Sequence, residues 1–503
     1  TPTQVVSPGA EAVALAAQHE LNKIVLDDAN TAQNPATVPY PVGGLSAVNT
    51  VRSGDTVVNL TGTIHYGFRQ YRIMPTQTPG FVQSNPRTAA PELAADGNVK
   101  VASFNVLNYF NGDGLGGGFP TSRGADSAAE FERQRAKILS AMVALDASVI
   151  GLMEIENDGF DSNSAIADLV NGLRAASGND SWQYIDAGAP VGSDEIAVGL
   201  IYRSDLVNPA GDMMLLDSSN SALDTQGVAL FDDNRNRPML AQRFRLLDND
   251  AEFAVMVNHL KSKGSGCGSE DGDNGDGQGN CNISRTRAAQ AIGLFAAEHF
   301  ADTPALVIGD LNAYAKEDPI TALAQAGYLN VFEALGKVPS HGYVFSGQSG
   351  SLDHALLNDL ALQHLADAAK WNINADEPIA LDYNVEFKSV QQQLDYYAAD
   401  AYRSSDHDPV IVSFNLPAAI PPLDVTLQLQ RVISARFGMK LVQMRWTGDA
   451  SDLTLYRDNA AVKALNPSGR VNDQFRSDVT SVTYKICQHT TGSCSADLVV
   501  NFN

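Results

Sequence analysis

The sequence predicts a mixed α/β fold over its central region, with β structure on either side. Short apolar runs of strand length end in polar residues at Asn105, Glu154, Asn258-His259 and Asp310-Leu311-Asn312, the pattern of strands buried on both faces. An amphipathic stripe joins two of these runs, so the order there is strand, helix, strand. Toward both ends of the chain, short alternating or clustered segments separated by Pro, Gly and Asn take over.

Residues 1–97 read as a small β module, with strands at Leu21–Leu26, Thr56–Leu60, Gly62–His65 and Tyr71–Met74. Arg69, Tyr71 and Arg72 set bases beside an aromatic ring, as a single-strand-binding surface requires, with ordinary strand surface as the competing reading. The central domain, 98–416, begins with Val99–Phe104 leading into Asn105. A helix over Asp126–Asp146 follows, with Phe131, Ile138, Met142 and Leu145 on its buried stripe and Glu132, Arg133 and Lys137 outside. Strands are expected at Val149–Met153, Ile196–Tyr202, Phe253–Val257 and Ala305–Gly309, and a helix at Arg285–Phe300. Ser405-Asp406-His407-Asp408-Pro409 stands directly before the last apolar run, Val410–Phe414. Leu416–Pro422 is a stiff, Pro-rich linker. Beyond it, 423–503 alternate as a β-sandwich, with strands at Asp424–Gln430, Lys440–Trp446, Leu453–Tyr456 and Val482–Cys487.

A chain of 503 residues exceeds one ordinary domain, and its 44% apolar content supports sizeable cores. No run of eighteen apolar residues points to a membrane span. Acids outnumber bases for a net charge of −24, a poor match to a polyanion unless cations gather locally. Four cysteines form two close pairs, Cys267 with Cys281 and Cys487 with Cys494, in loop-like stretches without the ligands of a zinc site. Disulfides are expected, and with them an oxidising compartment: extracellular, periplasmic or cell-surface. The absence of a signal peptide at Thr1 fits a secreted chain whose leader has been removed.

Two loops invite a ligand. Asn111–Gly118 is Gly-rich, but no helix follows at phosphate-loop spacing, so a flexible loop is expected. Asp271–Gly277 offers oxygen ligands for calcium, yet no Glu follows at the twelfth place of an EF-hand.

The motifs Ser103-Phe104-Asn105-Val106, Met153-Glu154, Asn258-His259-Leu260-Lys261, Gly309-Asp310-Leu311-Asn312, Ser351-Leu352-Asp353-His354 and Ser405-Asp406-His407-Asp408-Pro409 together resemble the endonuclease/exonuclease/phosphatase superfamily. The similarity extends to the bacterial extracellular nucleases that place an oligonucleotide-binding-like (OB-like) β module before this domain. It implies a DNase I-like four-layered α/β/β/α sandwich over 98–416. Trp446-Thr447-Gly448 with Leu455-Tyr456-Arg457 looks like a fibronectin type III-like domain, for a spacer or attachment role. Relatives often carry a cysteine pair in the loop at 111–118, which is absent here.

The activity so implied is metal-dependent phosphodiester hydrolysis of DNA, with RNA as an alternative, by a monomeric secreted nuclease. Such chemistry needs a cation on the phosphate, an aligned water and a proton for the departing oxygen. Glu154 suits Mg²⁺ or Mn²⁺, with Asn105 and Asp406 completing the shell. Asp310 and Asn312 suit water alignment or a phosphate clamp, and His259 and His407 suit acid–base transfer, in an order left open. Asp353 resembles the carboxylate that orients His407, and Glu195 is expected to do the same for His259. Arg123, Lys261, Lys263, Arg285, Arg287 and Arg403 are the candidates for backbone contact. The same motif set also serves phosphomonoesterases and phospholipid phosphodiesterases, and an inactive surface-binding protein is the non-enzymatic rival.

Overall fold

Val99 and Val101 project from one face of their strand, Ala102 and Phe104 from the other, and all four are buried. Such a strand must be covered twice. The computed structural model describes residues 1–419, 423–435, 438–448, 451–465, 469–476 and 478–502, in two compact units, Thr1–Pro417 and Ala418–Asn503.

The first unit opens with helix α1 (Ala10–Leu21) and strands β1 (Val25–Leu26), β2 (Thr56–Val58), β3 (Gly62–Gly67), β4 (Gln70–Pro75) and β5 (Gly80–Val82). Next come β6 (Val99–Tyr109), α2 (Ala128–Leu145), β7 (Val149–Glu156), α3 (Ala165–Ser177), β8 (Trp182–Tyr184), β9 (Ile196–Arg203), β10 (Val207–Pro209) and β11 (Met214–Leu216). β12 (Arg237–Leu246), β13 (Glu252–His259), α4 (Asn282–His299), β14 (Ala305–Asp310), α5 (Asp318–Gln325) and β15 (Leu329–Asn330) follow. β16 (Tyr343–Phe345), β17 (Gln348–Gly350), β18 (Asp353–Leu357), β19 (Leu365–Lys370) and β20 (Val410–Phe414) close the unit.

A six-stranded sheet runs β19-β20-β6-β7-β9-β8, and a seven-stranded one runs β10-β12-β13-β14-β18-β15 with β11 beside β12. Between them lie Val101, Val149, Val198, Leu240, Val257 and Ile308. On the outer face of the first, Phe104 and Leu152 meet Ile138, Met142 and Leu169 of α2 and α3. On the outer face of the second, Met256 and Val307 meet Ile292 of α4 and Leu323 of α5. Helix, sheet, sheet and helix therefore stack in four layers, the architecture expected.

Several elements differ from expectation. α1 occupies an Ala-rich stretch not read as helix, so the strand expected from Leu21 shrinks to Val25–Leu26. α4 begins before Arg285 because its first turn is capped from a distance: Asp271 accepts from the N–H groups of Ile283 and Ser284. Of the residues expected on the outward face of α2, Glu132 is exposed but Lys137 and Arg133 are covered. Lys137 is 1% exposed and donates to Tyr402 O at 2.6 Å, while Arg133 donates to Tyr383 O. The long segment between β19 and β20 lies over that face. The two expected disulfides are present.

The second unit contains β21 (Thr426–Ala435), β22 (Met439–Thr447), β23 (Leu453–Arg457), β24 (Ala460–Ala464), β25 (Arg470–Arg476), β26 (Ser481–Gln488) and β27 (Leu498–Asn501). Sheets β21-β22-β25 and β24-β23-β26-β27 enclose Val442, Met444, Trp446, Leu455, Tyr484 and Ile486. Part of the expected linker, 420–422, falls outside the described residues.

Candidate active site

The strand ends that carry the polar motifs converge at one edge of the two packed sheets, and local backbone distortions aim their side chains. Glu154 sits at φ 63, in the left-handed region, where β7 shifts register against β9. That conformation is unfavourable for Glu and needs support from its surroundings. Asn105 Nδ2 donates to Glu154 Oε1 at 3.1 Å, and the N–H of Asn108 donates to Oε2 at 3.1 Å. Asn108 and Leu107 are themselves left-handed, in the bulge that ends the regular part of β6. On the second sheet, Gly309 at φ +129 precedes Asp310; a Cβ there would lie 1.9 Å from Asn258 O, so only glycine lets β14 run this close to β13.

Asp310 stands between two imidazoles. Its Oδ2 is 3.6 Å from His259 Nε2 and 3.9 Å from His407 Nε2. Burial, with the carboxylates of Asp353 and Glu154 nearby, pushes Asp310 up to about 7 against the pull of His407. Burial works against a charge on His407, but Asp353, Asp406 and Asp310 overcome it and hold the ring protonated well above the usual range. Asp353 Oδ2 is 2.5 Å from His407 Nδ1, and the ring of Tyr343 lies 4.5 Å from that of His407. His259 is the opposite case. Burial, then the positive charges of Arg237 and His407, hold it neutral far below the usual range.

The loop that delivers Asp406 and His407 is knotted internally. Asn374 Oδ1 accepts from the N–H groups of Ser404 and Ser405, and its Nδ2 donates to His407 O. Asp408 accepts from the N–H of Asn374 at 2.7 Å and from Asn372 Nδ2 at 2.7 Å, so it supports the loop. Ser405 Oγ donates to Asn105 O at 2.7 Å, joining this loop to the Glu154 corner.

Asn105, Glu154, His259, Asp310, Asp353, Asp406 and His407 are thus brought together. Asn312 turns back at φ 48 and donates to Leu260 O at 3.0 Å, beneath His259. Buried polar atoms without partners cluster at the same place: His259 Nδ1, Asn258 Oδ1, Asp353 Oδ1 and Asp406 Oδ1. Of the basic candidates, Lys261 has no hydrogen-bond or ion-pair partner for its ammonium among the described residues. Arg123 pairs with Glu195 at 3.1 Å and Asp194 at 3.2 Å. Arg285 is fully buried and donates to the carbonyls of Lys261, Asn280 and Gln278. Arg287 pairs with Asp224, Lys263 with Glu317, and Arg403 donates to Asn374 O. Glu195 does not orient His259, as expected from sequence: it is spent on Arg123, and His259 Nδ1 has no partner.

Three residues around this cluster escape a reading of the sequence. Arg237 lies directly across the ladder from His259 and forms an ion pair with Asp194 at 3.2 Å. Its strand is masked by Pro238, which argues against a central strand. Tyr343 lies on a small hairpin whose strands are only three residues long. Gln4 bridges loops behind the site, accepting from Ser351 N at 3.0 Å and donating to Ser340 O at 3.1 Å. The Gly-rich loop is closed by Asp113, which accepts from the N–H groups of Leu115 and Gly117. In the acidic loop, Asp271 is the α4 cap and Asp276 accepts from Gln278. A trio of carboxylates close enough to share a cation occurs elsewhere, at Asp126, Glu130 and Glu386. Among the described residues, no helix is long and apolar enough to cross a membrane.

No protein-family model matches the chain, and no curated protein matches it. Solved structures similar to it include the human Nocturnin catalytic domain with bound sulfate anion, at 13% identity, TM-score 0.40, and coverage of 65% of this chain and 97% of that one. An endonuclease/exonuclease/phosphatase family protein from Bacteroides thetaiotaomicron has 18% identity, TM-score 0.38, and coverage of 64% and 97%. A mannosyl-6-phosphatase from the same organism has 18% identity, TM-score 0.38, and coverage of 63% and 98%.

Proposed function

We propose that this protein is a secreted, metal-dependent nuclease that hydrolyses phosphodiester bonds in DNA, with RNA as a further substrate. The observation that carries this reading is the contrast between two buried histidines flanking one carboxyl: His407 charged, His259 neutral, Asp310 between them. A site that holds one donor and one acceptor at neighbouring positions is equipped to move a proton in each direction.

The residues at the Glu154 corner fit a divalent cation. Asp406 Oδ1 is buried without a partner, and burial and then Asp406 raise Glu154 against the pull of His407 and Arg237, so two carboxyls crowd one buried corner that a cation would relieve. Glu154 and Asp406 would hold Mg²⁺ or Mn²⁺, with Asn105 beside them steering Glu154. A cation bound there supplies Lewis acidity and offsets the charge of the phosphate. Neutral His259 takes a proton from the attacking water, which Asp310 and Asn312 align. Protonated His407, held in its tautomer by Asp353, gives a proton through Nε2 to the departing oxygen. Lys261 and Arg237 stand beside His259 to meet the phosphate, with Arg123 at the rim. Arg285, Arg287 and Arg403 support the loops around them.

Two disulfides support an oxidising compartment. We assign residues 1–97 as an accessory OB-like module and 423–503 as a fibronectin type III-like attachment unit, with calcium as a further candidate ion. Plasmid degradation with Mg²⁺, Mn²⁺, Ca²⁺ or EDTA tests the reading. Nicking that requires Mg²⁺ or Mn²⁺ is expected, and cleavage of p-nitrophenyl phosphate without any nicking would replace it with a phosphomonoesterase.

A further inference from the structure

Strands β3 and β4 form a hairpin that the fold leaves largely uncovered. Register pairs Ile64 with Ile73 and Tyr66 with Tyr71, so these four side chains share one face. Ile64, Tyr66 and Tyr71 are 57%, 60% and 62% exposed, and the two tyrosine rings meet edge-on at 5.0 Å. At the tip, Phe68 is 79% exposed. Arg69 beside it has no hydrogen-bond or ion-pair partner among the described residues.

The turn itself is unusual. Gly67 pairs with Gln70, leaving Phe68 and Arg69 as a two-residue turn, at φ 49 and 64. Both are left-handed, the geometry that Asn-Gly fills without strain, and a bulky aromatic there is an outlier. Strain of this kind persists where the side chains it presents do something. On the other face Arg72 lies 5.0 Å over the Phe68 ring and bonds Asp27 at 2.6 Å, which holds the ring in place and offsets the charge of that acid.

Exposed flat rings beside an unpaired cation, on a chain of net charge −24, match a ligand with flat faces and negative charge. Strands of two to six residues are too small a surface for a second copy, which needs about 800 Å² on each side. Tyrosine hydroxyls and a single free cation suit an anionic bilayer poorly. We propose that the β3–β4 hairpin is a stacking platform for single-stranded nucleic acid, with unpaired bases on Tyr66, Tyr71 and Phe68 and a phosphate on Arg69. This rests on the nuclease reading above and adds a preference for unpaired strands, held away from the catalytic centre.

Fluorescence anisotropy of a labelled oligothymidylate on the full chain, in EDTA so that nothing is cleaved, tests the platform. The Tyr66→Ala, Tyr71→Ala pair should weaken binding by about tenfold or more. Phe68→Asn with Arg69→Gly installs the residues this turn favours, so the thermal midpoint should hold or rise while affinity falls. A raised midpoint with unchanged affinity overturns the platform, as does equal binding of a blunt duplex. Binding of phosphatidylglycerol vesicles in preference to the oligonucleotide assigns the face to lipid, and a dimer in sedimentation that these variants dissociate assigns it to a second copy; either result overturns the platform. Hydrolysis of bis(p-nitrophenyl) phosphate by the unaltered protein with Mg²⁺ decides the catalytic reading separately. Hydrolysis without strand binding overturns the platform alone, and strand binding without hydrolysis overturns the catalytic reading alone.

Discussion

Asp353 and His407 meet at 2.5 Å, and this contact spans two sheets. Asp353 opens β18 of the seven-stranded sheet, while His407 leads into β20 of the six-stranded one. The contact therefore helps to hold His407 charged and fixes the relative placement of the two groups of residues proposed as the site.

Replacing Asp353 with Asn should move the alkaline limb of the kcat/KM profile to lower pH. His407 donates only while protonated, and Asp353 is the foremost group holding its affinity for the proton above the usual value. Removing that charge lowers the affinity, so the donor is lost at a lower pH. His407→Ala should cost ~10²–10⁴ in kcat at every pH, the usual worth of acid–base help. A pH–rate profile of the two folded variants checks both.

Metal dependence should follow Glu154 and Asp406. Glu154→Gln and Asp406→Asn should each raise the Mg²⁺ needed for half-maximal nicking, and EDTA should abolish it. Mg²⁺ should also raise the melting temperature of the parent, by an amount equivalent to ~2.7 kcal/mol at 100 times its Kd. Calorimetric titration that finds the same affinity in parent and Glu154→Gln would move the ion elsewhere.

Stability should fall as pH rises from about 4.5 to about 7 in chelator. Burial and the neighbouring Asp158 push Glu156 up to about 7 from an ordinary value of 4.5. Between those values the folded chain binds a proton that the unfolded chain has released, so raising the pH favours unfolding. Urea midpoints across this window should show the decline, and Glu156→Gln should flatten it.

Glu317→Ala should destabilise the first unit by ~3–5 kcal/mol, because it strands a charge in the interior. Glu317 is fully buried, pairs with Lys263 Nζ at 2.6 Å and accepts from Thr3 Oγ1 at 2.7 Å. Equilibrium denaturation measures the loss, and Lys263→Met in the same background should recover part of it.

Lys261→Ala should weaken nucleic-acid binding and make the slope of log K against log salt shallower by ~0.9, the value of one phosphate contact. Arg287→Ala should leave the slope unchanged, since its guanidinium is engaged with Asp224 at 2.8 Å. Binding isotherms at several salt concentrations, in EDTA, decide between them.

Much of the centre was legible because strands buried on both faces read as uninterrupted apolar runs, and the polar residue that ends each run marks the site. Asn105, Glu154, His259 and Asp310 follow that rule, and the Asp406-His407 pair marks the other end, standing just before its run. Arg237 did not, since Pro238 interrupts its strand and the residue meets the site only by lying across from His259. The burial of Lys137 was equally invisible. Its position on the helix is polar by periodicity, and only a segment more than two hundred and fifty residues later covers it, with Tyr402 O accepting its proton across a separation of 265. Glu195 looked like a partner for His259 by resemblance, though one residue off the expected distance from its strand, but Arg123 claims it. Long-range pairing of this kind leaves no local trace.

The bond from Ser405 Oγ to Asn105 O closes a loop of 300 residues, and contacts that far apart form slowly and late. A ribosome making this chain has finished the Glu154 corner long before the segment carrying Asp406 and His407 exists. Every chain that stops short of Asp406 therefore lacks the residues proposed here as the second carboxylate of the cation site and the proton donor. The proposed centre cannot assemble until Val410–Phe414 has emerged and paired with β6, made some three hundred residues earlier.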